Sequence, residues 1–531
     1  MTLTEARSLP TRSTVRREPI SAGTAALVIV AMVAARLMAA PFIPLSPDEV
    51  YYFDWSRFPS WSYYDHPAMG AWWIALGTWL FGANPFGIRA IAILSGLPIS
   101  LCVFLTGRVL FDQATAIRGA LWTNAIFLIA VGGILATPDA PSVLFWAVAT
   151  LGLALLAKTG NGAGWLLIGL GAGLGVISKL TSLFLGPAIL LLLIVRPDFR
   201  RWVLSPWPWA GGALALGLTV PMLLWNASHH WVTLAKQFGR VANGAFQPLG
   251  PLNFITTQFG IINPLIAIFA GLGVVIAFRR RTTRRADSIA LLLGTALPLV
   301  AYMTVHAFHA SVQGHWLAPI VPTLALAAAA AAETAGLAWA PLASLVLPLG
   351  VSAMIVGLTM GLNPGNVIPQ QFDVGQVIRG WDTFAAEVDQ LRRQSGAAWI
   401  AASYYGVYSE LAYHLPARGV PIIAIDERVR YAYAPPPDPA LLARPVLIVV
   451  RSGTRLSDCF ANLTPAGTIQ RHVGTRIYGT YEAFRADRAS SGVFDRGCDR
   501  LGGASRTHEG GVGGTAGDLG SAPARRPATS Q

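Results

Sequence analysis

Residues Thr24–Pro67 read TAALVIVAMVAARLMAAPFIP, then Leu45, then SPDEVYYFDWSRFPSWSYYDHP. The first part is an apolar run close to the ~20 residues that cross a bilayer as a helix. It is long for a signal-peptide core and has no small-residue cleavage site before the loop, so it reads as an uncleaved first span. The second part packs Asp48, Glu49, Asp54, Arg57, Asp65 and His66 among Tyr, Phe and Trp. Four carboxylates, an arginine and a histidine beside a membrane point to chemistry carried out at its surface.

The rest of the chain extends the membrane reading. Of 531 residues, 53% are hydrophobic and only 12% are charged, against about 25% charged in a soluble protein. Apolar runs recur from Ala25 to Met360, without the period-two alternation of a membrane barrel. The net charge of +13 is gathered in short clusters: Arg7, Arg12, Arg16 and Arg17; Arg196, Arg200 and Arg201; Arg279, Arg280, Arg281, Arg284 and Arg285. That distribution fits the positive-inside rule and argues against nucleic acid as a partner; contact with membrane lipids is a secondary effect. Spans drawn between the clusters number about eleven. They place the Ser46–Pro67 loop and the C-terminal part outside the cytoplasm. They also leave Lys179 between two short segments, Trp165–Ile177 and Leu180–Val195, near the outer interface.

The reading divides the chain into four parts. Residues 1–20 form a basic cytoplasmic tail, and residues 21–362 form a transmembrane part whose first outer loop covers 45–85. Residues 363–500 form a small extracytoplasmic α/β domain, and residues 501–531 a disordered Gly-, Ala-, Ser- and Pro-rich tail. Within the α/β part, Arg379–Gln394 reads as an amphipathic helix, and AAWIAASYY, VPIIAID and ARPVLIVV read as strands. Cys459 and Cys498 both fall there and are free to pair if the domain lies outside.

Several polar residues are candidates for chemistry. Asp48 and Glu49 suit a general base beside a low-dielectric region, and equally suit the acidic first turn of a helix. Asp139, in TPDAP, is a second carboxylate or a helix cap. Lys179, Arg57 and Arg89 are outer-side cations able to hold a phosphate or to snorkel to the interface. Tyr52, Asp65, His66, Asn226 and His230 are candidate substrate contacts. A divalent metal stays open, since no ligand set is persuasive. No glycine loop of the nucleotide-cradling kind is present.

The stretches DEVYYFDWSRFPSWSYYDHPAMGAWW, FGIRAIAILSG, TPDAPSVLFWA, GLGVISKLTSLFLGP, WNASHHWVTLAKQFGR and GHWLAPIVP occur in this order. The ordered set resembles the lipid-linked-sugar glycosyltransferases of the GT-C fold. It is most similar to the bacterial relatives of protein O-mannosyltransferase and of the lipid A aminoarabinose transferase. RGWDTFAAEV and SYYGVYSELAYHLP resemble the family's small extracytoplasmic domain. Ala68 stands where the family usually has a second proline, and Leu180 where it usually has a tyrosine. The resemblance implies a polyprenyl-phosphate sugar donor and an envelope acceptor, whether lipid A, core oligosaccharide, another glycan or protein. It also implies a bacterial inner-membrane location, an outward-facing site and Asp48 as the catalytic carboxylate. The alternative from another class is a transporter or flippase of a lipid-linked glycan, which calls for related halves and broken helices near the midplane.

Overall fold

A computed structural model describes residues 20–239, 246–279, 283–337, 339–362, 373–415, 419–451 and 459–495, with the single positions 369 and 498. The basic tail, Arg240, Arg280, Arg281 and the tail from Gly502 lie outside the described residues.

The chain is a multi-pass helical membrane protein with an α/β unit at its C-terminal side. Helix α1 (Ala22–Ala39) starts where the Ser21 hydroxyl accepts the Thr24 amide, which meets one of the unpaired donors of a first turn. The first loop carries α2 (Pro47–Ser56) and leads into α3 (Met69–Phe81), followed by α4 (Pro85–Leu94) and α5 (Gly96–Leu110). At Gly77 a Cβ would lie 2.2 Å from the Gly87 carbonyl oxygen. Only glycine therefore lets α3 and α4 meet backbone to backbone.

The remaining membrane helices are α6 (Gln113–Ala125), α7 (Phe127–Ala130), α8 (Asp139–Thr159), α9 (Gly164–Val176), α10 (Leu185–Val195) and α11 (Pro197–Arg200). They continue through α12 (Pro206–Ser228), α13 (Val232–Gly239), α14 (Gly250–Ile261), α15 (Pro264–Arg279), α16 (Arg284–Ala307), α17 (Val321–Ala335) and α18 (Ala340–Thr359). Among the described residues seven helices are long and apolar enough to cross a bilayer, and three bent pairs raise the number to ten. The sequence reading of about eleven spans counted Trp165–Ile177; α9 there has only 13 residues.

Two expected straight spans are bent. Leu252–Phe278 turns by 116° between α14 and α15. Asn263 takes a left-handed φ of 83° there, its side chain accepts the Leu265 amide, and Pro264 cannot continue the preceding turn. Ala120–Ala136 bends by 64°, because Ile126 is extended and ends α6.

The C-terminal unit holds α19 (Trp381–Gln394), β1 (Trp399–Ala402), α20 (Tyr405–His414), β2 (Ile422–Ala424), β3 (Val446–Arg451), β4 (Phe460–Ala461), β5 (Thr464–Val473), β6 (Arg476–Ala486) and β7 (Arg488–Ala489). Its five-stranded sheet runs β2-β1-β3-β6-β5. β1 is parallel to β2 and β3, while β6 is antiparallel to β3 and β5. The three expected strands are the parallel ones. They are continuous apolar runs, with all of β1 and Val446–Val450 buried, as strands covered on both faces must be. Cys459 and Cys498 form a disulfide.

Candidate active site at the first loop

The loop is built around Glu49. Ser46 caps α2, and its amide and hydroxyl both donate to Glu49 Oε2, at 3.0 and 3.1 Å. Arg89 Nε donates to Oε1 at 2.6 Å and Nη2 to Oε2 at 2.7 Å. The Ala136 amide adds a fifth bond at 3.0 Å. Burial works to raise the Glu49 pKa, but the Arg89 charge and these hydrogen bonds outweigh it and hold the carboxyl below its usual range.

Arg89 spends its other donors on the chain turning into the loop. Nη1 reaches the Ala40 and Ile43 carbonyls at 2.8 and 2.6 Å, and Nη2 the Pro44 carbonyl at 3.0 Å. With five N–H groups all engaged and the side chain wholly buried, no donor is left for a phosphate. The expectation that Arg89 binds phosphate and Glu49 acts in catalysis is therefore corrected. Together they are the bolt that fixes the loop to α4.

Asp48, one residue earlier on α2, points a different way. It lines a cavity of about 1380 Å³ shared with Tyr52, His66, Asp139, Lys179 and His315. Its Oδ1 accepts the Tyr405 hydroxyl from α20 at 2.8 Å. Burial raises the Asp48 pKa; the Tyr405 hydrogen bond opposes this, and the negative charges of Asp65 and Glu49 add to it.

The start of α8 and the break after α9 contribute Asp139 and Lys179 to the same lining. Lys179 Nζ lies 2.6 Å from Asp139 Oδ1, and His315 Nε2 lies 3.9 Å from Oδ2. Lys179 is held in place because Ser178 and Lys179 both return their amides to the Gly175 carbonyl. The neighbouring Ile177 carbonyl accepts the Met69 amide of α3, which ties the break to the first loop. The same lining includes apolar residues of the membrane helices, Ile93 and Ile99 of α4 and α5, and Phe127 and Leu128 of α7.

Other expected contacts lie away from the cavity. Asp65 accepts the Tyr51 hydroxyl at 3.0 Å and pairs with Arg430 of the C-terminal unit. Asn226 is fully buried and donates to Ser62 Oγ and the Met222 carbonyl while accepting the Thr233 amide. It is a structural pin, which corrects its reading as a substrate contact. Arg57 caps the end of α2, with its side chain 53% exposed and 3.5 Å from Asp54. His230 is exposed, with φ 57°. Neither Arg57 nor His230 lines the cavity.

Four residues went unforeseen. His315 was visible in GHWLAP, where it reads equally as an interfacial anchor. Tyr405 stands in the SYYG stretch. Arg451, at the end of β3, lines the cavity with its guanidinium 4.3 Å from the Tyr404 ring centre. Arg430 packs over Tyr405 at 5.0 Å. Nothing in the sequence ties the last three to the loop, since folding alone brings them together. Among the described residues no three His, Cys, Asp or Glu side chains gather to hold a metal ion.

Comparison with known proteins places this architecture. The family model for dolichyl-phosphate-mannose-protein mannosyltransferase matches residues 65–225. Lipid A galacturonosyltransferase RgtD of Rhizobium johnstonii is 29% identical over 290 residues, 51% of this chain and 56% of RgtD. The undecaprenyl phosphate-alpha-4-amino-4-deoxy-L-arabinose arabinosyl transferase of Pseudomonas aeruginosa is 34% identical over 146 residues, 26% of each chain. The crystal structure of ArnT from Cupriavidus metallidurans bound to undecaprenyl phosphate aligns with a TM-score of 0.60 at 15% identity. That alignment covers 87% of this chain and 98% of ArnT. The chain has the GT-C fold of ArnT and is similar in sequence to these transferases over part of its length. The aligned stretches span about half of RgtD and a quarter of the Pseudomonas transferase. The GT-C fold accounts for both the helical body and the C-terminal α/β unit, since the ArnT alignment takes in nearly the whole chain.

Proposed function

We propose that the protein is a bacterial inner-membrane glycosyltransferase that moves a sugar from a polyprenyl-phosphate donor to an acceptor in the envelope, with lipid A the acceptor class named for RgtD. The observation that carries this reading is the cavity itself. Its lining joins Asp48 and the Lys179–Asp139 pair to apolar residues of the membrane helices. A lipid phosphate needs both kinds of lining at once.

In the proposed reaction the Asp48 carboxylate takes the proton of the acceptor hydroxyl. The acceptor oxygen bonds to the anomeric carbon as the bond from that carbon to the phosphate oxygen breaks. The electron pair leaves with the polyprenyl phosphate, so the configuration at that carbon inverts. Lys179, with its ammonium already aimed into the cavity by Asp139, faces the charge that grows on the phosphate. Tyr52 and His66 line the same cavity and are proposed to contact the sugar. The names of the relatives, which include sugar transferases using undecaprenyl phosphate, support the donor class.

The Lys179 role has a direct kinetic test. Lys179→Ala should raise the donor KM about 10- to 100-fold, the range of one charge-assisted contact of ~1.5–3 kcal/mol. Lys179→Arg should fall between, because a planar fork does not reproduce a compact ammonium. Adding Asp139→Asn to Lys179→Ala removes the buried unpaired carboxylate and separates a folding defect from lost donor binding. A donor dependence unchanged in Lys179→Ala at normal expression would refute the role.

Orientation has its own test. With the basic tail inside, the first span brings the Asp48 loop out of the cytoplasm, and the Tyr405–Asp48 contact keeps the C-terminal unit on the same side. A phosphatase reporter fused after Leu362 should be active, and one fused between Arg279 and Arg285 inactive. The reverse pattern would place the site in the cytoplasm and end the lipid-donor account.

A further inference from the structure

We infer that Tyr405, on the first turn of α20 in the C-terminal unit, is a positioning residue for the Asp48 carboxylate, so that this unit completes the transfer site. The inference rests on the proposed reading of Asp48 as the base. Its observations are separate ones, drawn from the contact between α20 and α2.

The Tyr405 hydroxyl donates to Asp48 Oδ1 at 2.8 Å. A carboxylate fixed through one oxygen keeps the other for the acceptor proton, and its χ2 no longer rotates freely. The tyrosine is itself held on several sides. Its ring packs on Tyr51 at 5.3 Å and on Tyr404 at 4.7 Å. The Arg430 guanidinium covers it at 5.0 Å. Arg430 is clamped in turn by Asp65 and Glu427, and Asp65 also takes the Tyr51 hydroxyl. The loop and the C-terminal unit thus share one network with the tyrosine at its centre.

The close approach is written into the neighbouring residue. A Cβ on Gly406 would lie 3.2 Å from Pro47 Cβ and 2.7 Å from the Tyr404 ring. Glycine there lets α20 come down onto the first turn of α2, within reach of the carboxylate. Two other tyrosines use the same docking face without touching Asp48. Tyr433 donates to Asp54 at 2.6 Å, and Tyr64 donates to Glu427 at 3.3 Å.

The hydrogen bond has an electrostatic consequence that a packing role lacks. Burial is the largest influence on Asp48 and raises its pKa, and the Tyr405 bond pulls it back. Asp65 and Glu49 push it further up, Arg430 pulls it down, and Tyr52 and Tyr404 sense its charge. His66, Asp139, Lys179, His315 and Arg451 line the same cavity. Removing only the Tyr405 hydroxyl leaves all of these in place and takes away one stabiliser of the ionised form. A base must be ionised to act, so the acidic limb of the rate profile should then move to higher pH.

The test measures kcat and KM against pH on the full chain in membranes or detergent. Tyr405→Phe should lower kcat about tenfold with little change in either KM, and move the acidic limb upward. A fluorinated tyrosine at 405, a stronger donor, should move the limb downward. Tyr433→Phe, which loses a docking bond but not the Asp48 contact, should leave the limb where it is. An unmoved limb and unchanged kcat in Tyr405→Phe, with Asp48→Asn inactive, would overturn the inference while leaving the base reading intact. Equal limb shifts in Tyr433→Phe would overturn it by reducing Tyr405 to general docking. Full activity in Asp48→Asn would overturn both readings together.

Discussion

Asparagine in place of Asp48 is expected to lower sugar transfer at least ~10²-fold, the lower end for losing a general base, while the protein still folds and inserts. The substitution is nearly isosteric and keeps an oxygen for the Tyr405 hydroxyl. Asp48 is also not part of the bolt that holds the loop, since Glu49 and Arg89 perform that task without it. Stability should therefore change little, and loss of activity should track basicity alone. Measured initial rates with saturating donor, alongside membrane yield and melting temperature, separate the two effects. A rate near that of the unmodified protein would remove Asp48 from the mechanism and make Asp139 the next carboxylate to examine.

Breaking the bolt should have the opposite signature. Arg89→Leu leaves Glu49 buried and stripped of its cation, and Glu49→Gln leaves Arg89 without its counter-charge. Loss of one partner from a buried pair costs about 3–5 kcal/mol. Either change should lower the melting temperature in detergent sharply and reduce the amount that accumulates in the membrane. Arg57→Ala is the internal contrast. Its ion pair with Asp54 is half exposed, and such surface pairs contribute about 0–1 kcal/mol. If Arg89→Lys folded normally and lost only donor affinity, the structural assignment of Arg89 would be wrong and the phosphate role would return to it.

The difference between Asp48 and Glu49 also shows where sequence reading ends. Both stand in SPDEVYYF, and composition, charge and motif treat them alike. One helical step of roughly 100° sends Glu49 under the loop to Arg89 and Asp48 into the cavity. Only the position of α4 decides which is which. The helical membrane body was legible because apolar run length carries it directly. The bends at Ile126 and Asn263 were less so, since a hydrophobic run continues through both. In the C-terminal unit the parallel strands β1, β2 and β3 were legible as apolar runs. The β5–β6 hairpin was not, because TPAGTIQRHV is largely solvent-facing and lacks a clean alternation.

The same reasoning sorts the candidate site residues. Asp139 and Lys179 were each plausible as bland features, a cap and a snorkelling cation. Their 2.6 Å contact across 40 residues of sequence is what joins them. Asn226 looked like a substrate contact because a polar residue at the end of a span is exposed in most readings. Here Ser62 and Thr233 close around it. Tyr405 and Arg451 reach the cavity from a unit whose strands and helices say nothing about what they dock against.

The central claim is that Asp48 and the cavity around it transfer a sugar off a lipid phosphate. The most direct measurement incubates the purified protein, reconstituted in vesicles, with radiolabelled polyprenyl-phosphate sugars and an envelope glycolipid acceptor. The account predicts that label moves to the acceptor, that free polyprenyl phosphate appears in equal amount, and that Asp48→Asn stops both. Labelled lipid crossing the bilayer intact, with its sugar still attached and no acceptor labelled, would contradict it and identify a flippase instead.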